Sequence, residues 1–241
     1  MAMSLAAPPS PASQAINSAR CLQRCGQWGL ALAALAGADD DGRAAALRAE
    51  ILVDRHAWRL DPPQEALEAA RSLEPADPPL AAYLIAQLAY WQRVFNLGGD
   101  PVRPDVIAAF DEVVDEPGLG SWPRFFRSVA IQYLREDFEA AAEGFDQVLA
   151  SARETDDLLL ESYALRHQAE MMPPSQAPNA VELVRRSLNL RVAVGARPHC
   201  AASQAMLART LPAGPEAAEL RRLSAHTAVE LGLTWLLPEP A

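Results

Sequence analysis

The sequence predicts an all-α protein, a right-handed α-solenoid of antiparallel helix pairs with about eleven helices. Three observations support this prediction. The chain is rich in Ala and Leu, which favour helices, and only 6% of its residues are aromatic. No run of alternating Val, Ile, Thr or Tyr indicates a strand. Helical patterns instead follow one another with short breaks, and some of them repeat in sequence.

Pro, Gly and Asp residues mark the breaks between the predicted helices. Residues 1–12 are small and Pro-rich, which predicts a disordered tail, and residues 13–241 are predicted to form a single domain. Asp61-Pro62-Pro63 and Asp77-Pro78-Pro79 begin helices, since Asp can cap a helix and Pro suits its first turn. The predicted helices span 13–36, 42–58, 62–73, 79–97, 104–115, 121–136, 138–154, 157–171, 177–194, 198–210 and 215–233.

The second helix of each predicted pair repeats along the chain. Residues 180–195 and 217–232 are identical at seven of 16 positions at an offset of 37 residues. Each of these segments ends in a Gly, where a left-handed helix cap is expected. A weaker copy begins at Ala141, 39 residues before Ala180. Fainter copies begin near residues 66 and 106, so the spacing is that of a unit of two packed helices.

The segment 130–150 is similar to a tetratricopeptide repeat. Tyr133 matches the aromatic residue of the first helix, and Asp137-Phe138 matches the turn. Ala141 matches the small contact residue, and Phe145 matches the aromatic residue of the second helix. Residues 180–232 resemble the degenerate repeats of large actinobacterial transcriptional regulators, although the Trp-Leu-Gly signature of the first helix is missing. This resemblance implies stacked helix pairs whose concave groove binds a protein or peptide.

Composition narrows the classes of function. The net charge of −10 argues against direct nucleic-acid binding, which depends on neutralising phosphates. All 21 basic residues are Arg, which fits a GC-rich genome such as an actinomycete's. Three cysteines suit a reducing cytosol, so a cytoplasmic location without membrane insertion is predicted. Residues 28–37 also resemble the apolar part of a signal peptide, and secretion remains an alternative.

Polar residues on two first helices are the candidate binding residues. Tyr163, Arg166 and His167 lie opposite an apolar stripe at helical spacing. Tyr and Arg are common anchors of recognition surfaces, although a hydrogen-bonded network between layers would give the same pattern. A similar face on the preceding first helix contains Arg124, Arg127, Ser128 and Gln132. If the first helices line one groove, these two faces should be aligned.

Three residues suggest a catalytic alternative. His167 ends one first helix, and His199 and Cys200 begin the next, so they could meet on the concave surface as a Cys–His nucleophile. No Gly-rich loop accompanies them, and His199 is therefore predicted as a binding residue. Cys21 and Cys25 share a helix face but lack further metal ligands nearby in sequence.

The leading functional hypothesis is a scaffold or adaptor that binds a protein or peptide in its concave groove. It involves no catalysis, cofactor or metal. Two alternatives remain open: a regulatory sensor of a small molecule or peptide, and a helical enzyme of unknown reaction. A homodimer is compatible with each of them.

Overall fold

The fold is an all-α helical solenoid, as predicted, in which each helix packs against the next one along the chain. A computed structural model describes residues 10–38 and 42–237, and these contain twelve α-helices and no strand. The α-helices are α1 Pro11–Arg24, α2 Trp28–Ala34, α3 Gly42–Arg59, α4 Gln64–Ser72, α5 Pro78–Val94, α6 Val106–Asp111, α7 Trp122–Ala130, α8 Phe138–Glu154, α9 Leu158–Met171, α10 Ala177–Ala193, α11 Arg197–Thr210 and α12 Pro215–Leu231. A π-helical turn, Ile131–Arg135, extends α7, and 3-10 turns occupy Pro117–Leu119, Pro174–Gln176 and Thr234–Leu236.

Aspartate side chains fix the starts of four helices. Each carboxylate accepts a hydrogen bond from a backbone N–H of the first turn, which stabilises the helix by about 1 kcal/mol. The caps are Asp77 of α5, Asp105 of α6, Asp137 of α8 and Asp157 of α9. Local sequence therefore sets these boundaries, and they lie within two residues of the predicted ones.

The amino-terminal region differs from the prediction of one helix over 13–36. It contains two helices, α1 and α2, because Gly26 takes a left-handed backbone with φ of 76° and ends the first. Pro11 and Ala12 belong to α1, whereas the sequence placed them in the disordered tail. Residues 1–9 of the predicted tail lie outside the described residues.

The helices form an inner and an outer layer. The odd-numbered helices are the first members of the pairs, and contacts run from α1 to α3, α5, α7 and α9 along the inner side. Each even-numbered helix from α2 to α10 packs against the first helix before it and the one after it, and α12 packs against α11. The inner wall of the solenoid is thus built mainly from first helices, which is the condition for a shared groove.

The carboxyl-terminal pair packs back onto the amino-terminal helices. The Trp58 ring of α3 stacks on Trp235 with 5.2 Å between centroids, and the Thr234 hydroxyl donates to the Arg59 carbonyl over 2.5 Å. One apolar cluster joins Ile16 of α1 to Leu231 of α12. Trp235 therefore joins the carboxyl-terminal turn to α3, and the solenoid closes on itself.

Gly26 permits this closure. A Cβ atom at Gly26 would lie 2.8 Å from Cδ1 of Leu231 and 3.0 Å from Cγ of Pro198. Its positive φ is also costly for a residue with a side chain. A glycine therefore suits both the break after α1 and the close approach of α11 and α12.

Candidate ligand-binding cavity

Closure converts the concave side into a central cavity of about 770 Å³. This volume is within the range of small-molecule sites, roughly 300–1,000 Å³. All six first helices contribute to the wall, together with Arg191 from α10 and Trp235 from the carboxyl-terminal turn. Side chains that line it include Ile16, Arg20, Glu50, Asp54, Trp58, Tyr83, Tyr90, Trp91, Trp122, Phe126, Tyr133, Tyr163, Arg166, His167 and His199.

Aromatic rings form a continuous surface around the cavity. Tyr83, Tyr90 and Trp91 of α5 each lie 6.0–6.3 Å from Phe126 of α7, edge to face. A second series of neighbouring rings, each pair 4.8–6.2 Å apart, runs through Trp91, Phe95, Trp235, Trp58, His199 and Tyr163. Such rings present a large, stiff apolar surface, which suits a flat organic ligand.

Arg191 is the most unusual group in the wall. It is 1% exposed, and its guanidinium bridges α9 and α11. Nε donates to the Ser162 hydroxyl over 3.1 Å, and Nη1 donates to the His199 carbonyl and the Ser203 hydroxyl over 2.8 and 2.9 Å. The guanidinium carbon also lies 5.0 Å from the centroid of the Tyr163 ring, a cation–π contact.

No carboxylate neutralises Arg191. Among the described residues no Asp or Glu oxygen lies within 4.0 Å of its guanidinium, and its Nη2 has no hydrogen-bond partner. Burial lowers the pKa of Arg191 to about 10, so the group stays protonated at neutral pH. An unpaired buried charge is costly, and buried charges in proteins are normally paired.

Three predicted residues meet in one hydrogen-bonded group. The His167 ring contacts Oε1 of Gln132 through Nδ1 over 2.9 Å and Nη1 of Arg166 through Nε2 over 3.2 Å. Arg only donates, so Nε2 is the acceptor and Nδ1 carries the proton. Burial, and then Arg166, hold the pKa of His167 well below its usual value, so the ring is neutral.

His199 occupies the junction between the two ends of the solenoid. Its ring lies 4.8 Å from that of Trp58 and 5.2 Å from that of Tyr163, edge to face in both cases. Burial, and then Arg191, hold its pKa well below the usual value. Its Nδ1 is buried without a hydrogen-bond partner. Tyr163, Arg166, His167 and His199 thus line one cavity, and Gln132 supports His167.

A carboxylate ties two tryptophans together on the α3 side of the cavity. Asp54 accepts hydrogen bonds from the indole N–H of Trp28 over 2.8 Å and of Trp58 over 3.1 Å. Burial nevertheless raises the pKa of Asp54 to about 6. Asp54 therefore fixes the orientation of Trp58, on which the Trp235 contact depends.

Arg124 and Arg127 do not share this cavity, contrary to the expected alignment. Nη2 of Arg124 pairs with Asp115 over 2.9 Å, and Nε of Arg127 pairs with Asp111 over 2.5 Å. Both lie on the side of α7 that faces α6 and α8. The positions of α7 that turn inward carry aromatic and apolar side chains, so the polar face predicted as the groove is the outer one.

The catalytic alternative lacks its nucleophile in the cavity. His167 and His199 line the same space, but Cys200 is not among the lining residues. No hydrogen bond connects Cys200 to either histidine in the described part of the chain, and burial raises the pKa of its thiol. Within residues 10–38 and 42–237, no group of three or more His, Cys, Asp or Glu side chains could hold a metal ion.

Arg191 was not among the residues predicted from the sequence, although the repeat contains a signal for it. Its position in the repeat register corresponds to Ala152 in the preceding copy and Ala228 in the next one. Both alanines are buried, at 1% and 0% exposure. An Arg where neighbouring copies have a buried Ala is an exception to the pattern, and it could have been recognised as such.

The fold and the cavity define the class as a closed helical solenoid with an internal cavity. No known family model matches the chain, and a search of curated proteins found no similar sequence. Over the described residues, no helix has the length and apolar character that crossing a bilayer requires.

Proposed function

We propose that this protein binds a small organic ligand with a flat apolar part in its central cavity and acts as a ligand sensor. The observation that carries the proposal is the closure, which converts the concave side into a cavity walled by aromatic rings. Concave, mostly apolar cavities with a few polar groups are the usual form of small-molecule sites.

We propose a sensing role because the ligand would contact two distant parts of the chain at once. Trp58 on α3 and Trp235 at the carboxyl-terminal end both line the cavity and contact each other. A ligand that binds only the closed solenoid stabilises that state by mass action and shifts the population towards it. Binding would thereby change the surface formed by α1, α2 and α12, which a partner protein could recognise.

The peptide scaffold predicted from the sequence fits this geometry less well. A long extended peptide requires an open groove, and the contact between Trp58 and Trp235 closes the space between α3 and the carboxyl-terminal turn. A short peptide that fits within the cavity remains compatible. Both ring nitrogens of His167 are already hydrogen-bonded within the protein, which favours binding over catalysis at this residue.

Three further expectations belong to this proposal. The resemblance of 130–150 and 180–232 supports a tetratricopeptide-type repeat and an actinobacterial origin. The free thiols of Cys21, Cys25 and Cys200 support a cytoplasmic location.

Binding of the neutral fluorescent probe N-phenyl-1-naphthylamine tests the cavity. The wild-type protein should bind one probe per chain with energy transfer from the tryptophans. Gln87→Trp, which adds volume inside the cavity, should weaken binding about tenfold or more. Gln64→Trp, the same change on the exposed surface of α4, is the matched control and should bind like the wild type. No saturable binding by the wild type, or equal binding by both variants, would disprove the proposal.

A further inference from the structure

The wall of the cavity contains hydrogen-bond donors without acceptors. Four buried donor atoms of lining residues have no partner: Nε of Arg166, Nη2 of Arg191 and Nε1 of Trp91 and of Trp235. Nδ1 of His199, between Trp58 and Tyr163, is also unpaired. Buried polar atoms in native proteins almost always have a partner, so a group of unpaired donors indicates a missing acceptor.

Five carboxylates line the cavity, and one of them, Glu116, makes no ion pair with Arg166 or Arg191. The other four already have partners. Glu50 faces Arg20 over 3.4 Å, and Asp54 accepts from two tryptophans. Asp77 caps α5, accepting from the N–H of Leu80 over 3.1 Å. Asp157 accepts from the indole of Trp122 over 3.1 Å and caps α9. None of these four can turn to Arg191 without giving up its present hydrogen bonds.

Arg166 and Arg191 both line the cavity, and each has a buried N–H without an acceptor. Burial lowers the pKa of Arg191, and the positive charge of Arg166 lowers it further. Arg166 reaches Glu170 only weakly, with 3.8 Å between Nη2 and Oε2. Water is largely excluded here, since Arg191 is 1% exposed, so the two guanidinium groups repel each other in a medium of low dielectric. An anion between or beside them would remove this cost.

We infer that the ligand of the cavity carries a carboxylate, which Arg191 and Arg166 bind at the wall formed by α9, α10 and α11. This inference rests on the proposed ligand-binding function and specifies the class of ligand. Guanidinium groups match the geometry and the two oxygens of a carboxylate. The aromatic rings that continue from Tyr163 through His199 to Trp58 and Trp235 would cover the apolar remainder of the ligand.

The same carboxylate can come from two sources, a free aromatic acid or the carboxyl terminus of a short apolar peptide. The test therefore compares acids with their uncharged amides in both forms. The probes are 1-naphthaleneacetate against 1-naphthaleneacetamide, and N-acetyl-Phe-Phe as the free acid against its carboxamide. Calorimetric titration of the full chain at constant ionic strength gives each affinity.

In the wild type, at least one acid should bind about tenfold or more tightly than its amide, because hydrogen bonds to charged groups contribute more than neutral ones. Arg191→Gln and Arg166→Gln should each reduce this acid-to-amide ratio to within about threefold. Arg185→Gln is the matched control on α10, because Arg185 pairs with Glu216 outside the cavity, and it should keep the wild-type ratio.

Binding of neutral N-phenyl-1-naphthylamine distinguishes failure of the carboxylate inference from failure of the proposed ligand-binding function. Loss of the ratio in Arg191→Gln with neutral binding retained supports the inference, since the cavity is then intact. Equal affinity of acids and amides for a wild type that binds the neutral probe overturns the inference and leaves the proposed function standing. If Arg191→Gln does not fold, Arg166→Gln decides, and an unchanged ratio in that variant overturns the inference.

Discussion

Arginine has different surroundings on the two sides of this solenoid. On the outer side, Arg127 and Arg185 each pair with an acidic residue and remain accessible to water. In the cavity wall, Arg191 is 1% exposed and contacts only neutral acceptors and a tyrosine ring. Outer ion pairs contribute little to stability because water screens them, whereas the inner guanidinium bears a desolvation cost that a ligand can offset. The contrast supports the proposal that the inner side holds the binding site.

Removing apolar contacts should give the largest difference in stability between the inner and the outer side. Trp58→Ala deletes the ring that stacks on Trp235 and meets His199 edge to face, and the free energy of unfolding should fall by about 3–5 kcal/mol. Leu30→Ala, at a side chain that is 58% exposed on α2, should cost less than about 0.5 kcal/mol. Urea denaturation followed by circular dichroism measures both. If Trp58→Ala lowered the free energy of unfolding as little as Leu30→Ala does, the contacts that close the solenoid would contribute no stability.

Protonation of Asp54 in the cavity wall should change the free energy of unfolding by an intermediate amount that depends on pH. The pKa of Asp54 is raised from 3.8 to about 6, so the folded state takes up a proton before the unfolded chain does. The free energy of unfolding should therefore rise by about 2 kcal/mol from this group as the pH falls from 6 to 4. Asp54→Asn should lack this rise. The measurement is the difference between wild type and variant in urea midpoints across this range, and a constant difference would contradict the prediction.

Removing an ion pair on the outer side should change the free energy of unfolding least. Arg127→Gln removes the contact with Asp111, and the free energy of unfolding should change by less than about 1 kcal/mol. The change should shrink further in 0.5 M salt, because the pair is accessible to ions. Thermal melts at two salt concentrations provide the test. A loss comparable to that of Trp58→Ala would show that the outer layer is as important to stability as the cavity wall.

Local sequence predicted most helix boundaries because their determinants are local. Asp77, Asp137 and Asp157 cap helices that begin within a residue of the predicted starts. The break at Gly26 was missed, since its cause is tertiary: Leu231 and Pro198 approach Gly26 from the far end of the chain. Closure itself depends on small rotations added up over all the helix pairs, which no single segment records.

The candidate site was predicted only in part for a related reason. Tyr163, Arg166 and His167 were predicted because polar residues interrupt an apolar pattern on a first helix, and His199 because adjacent first helices lie side by side; all four line the cavity. Arg124 and Arg127 were misplaced because the inner side of α7 is aromatic, and its polar side faces outward. Arg191 lies on a second helix and reaches the cavity only through the length of its side chain.

Closure also sets an order of events during synthesis. Trp58 leaves the ribosome 177 residues before Trp235, the ring that covers it. At 5–20 residues per second this interval lasts about 9–35 s. Throughout it, α1 and α3 carry an apolar surface whose final partner has not yet been made. The nascent chain should depend on chaperones more than an open solenoid of equal length, in which each pair finds its neighbour as soon as both have emerged.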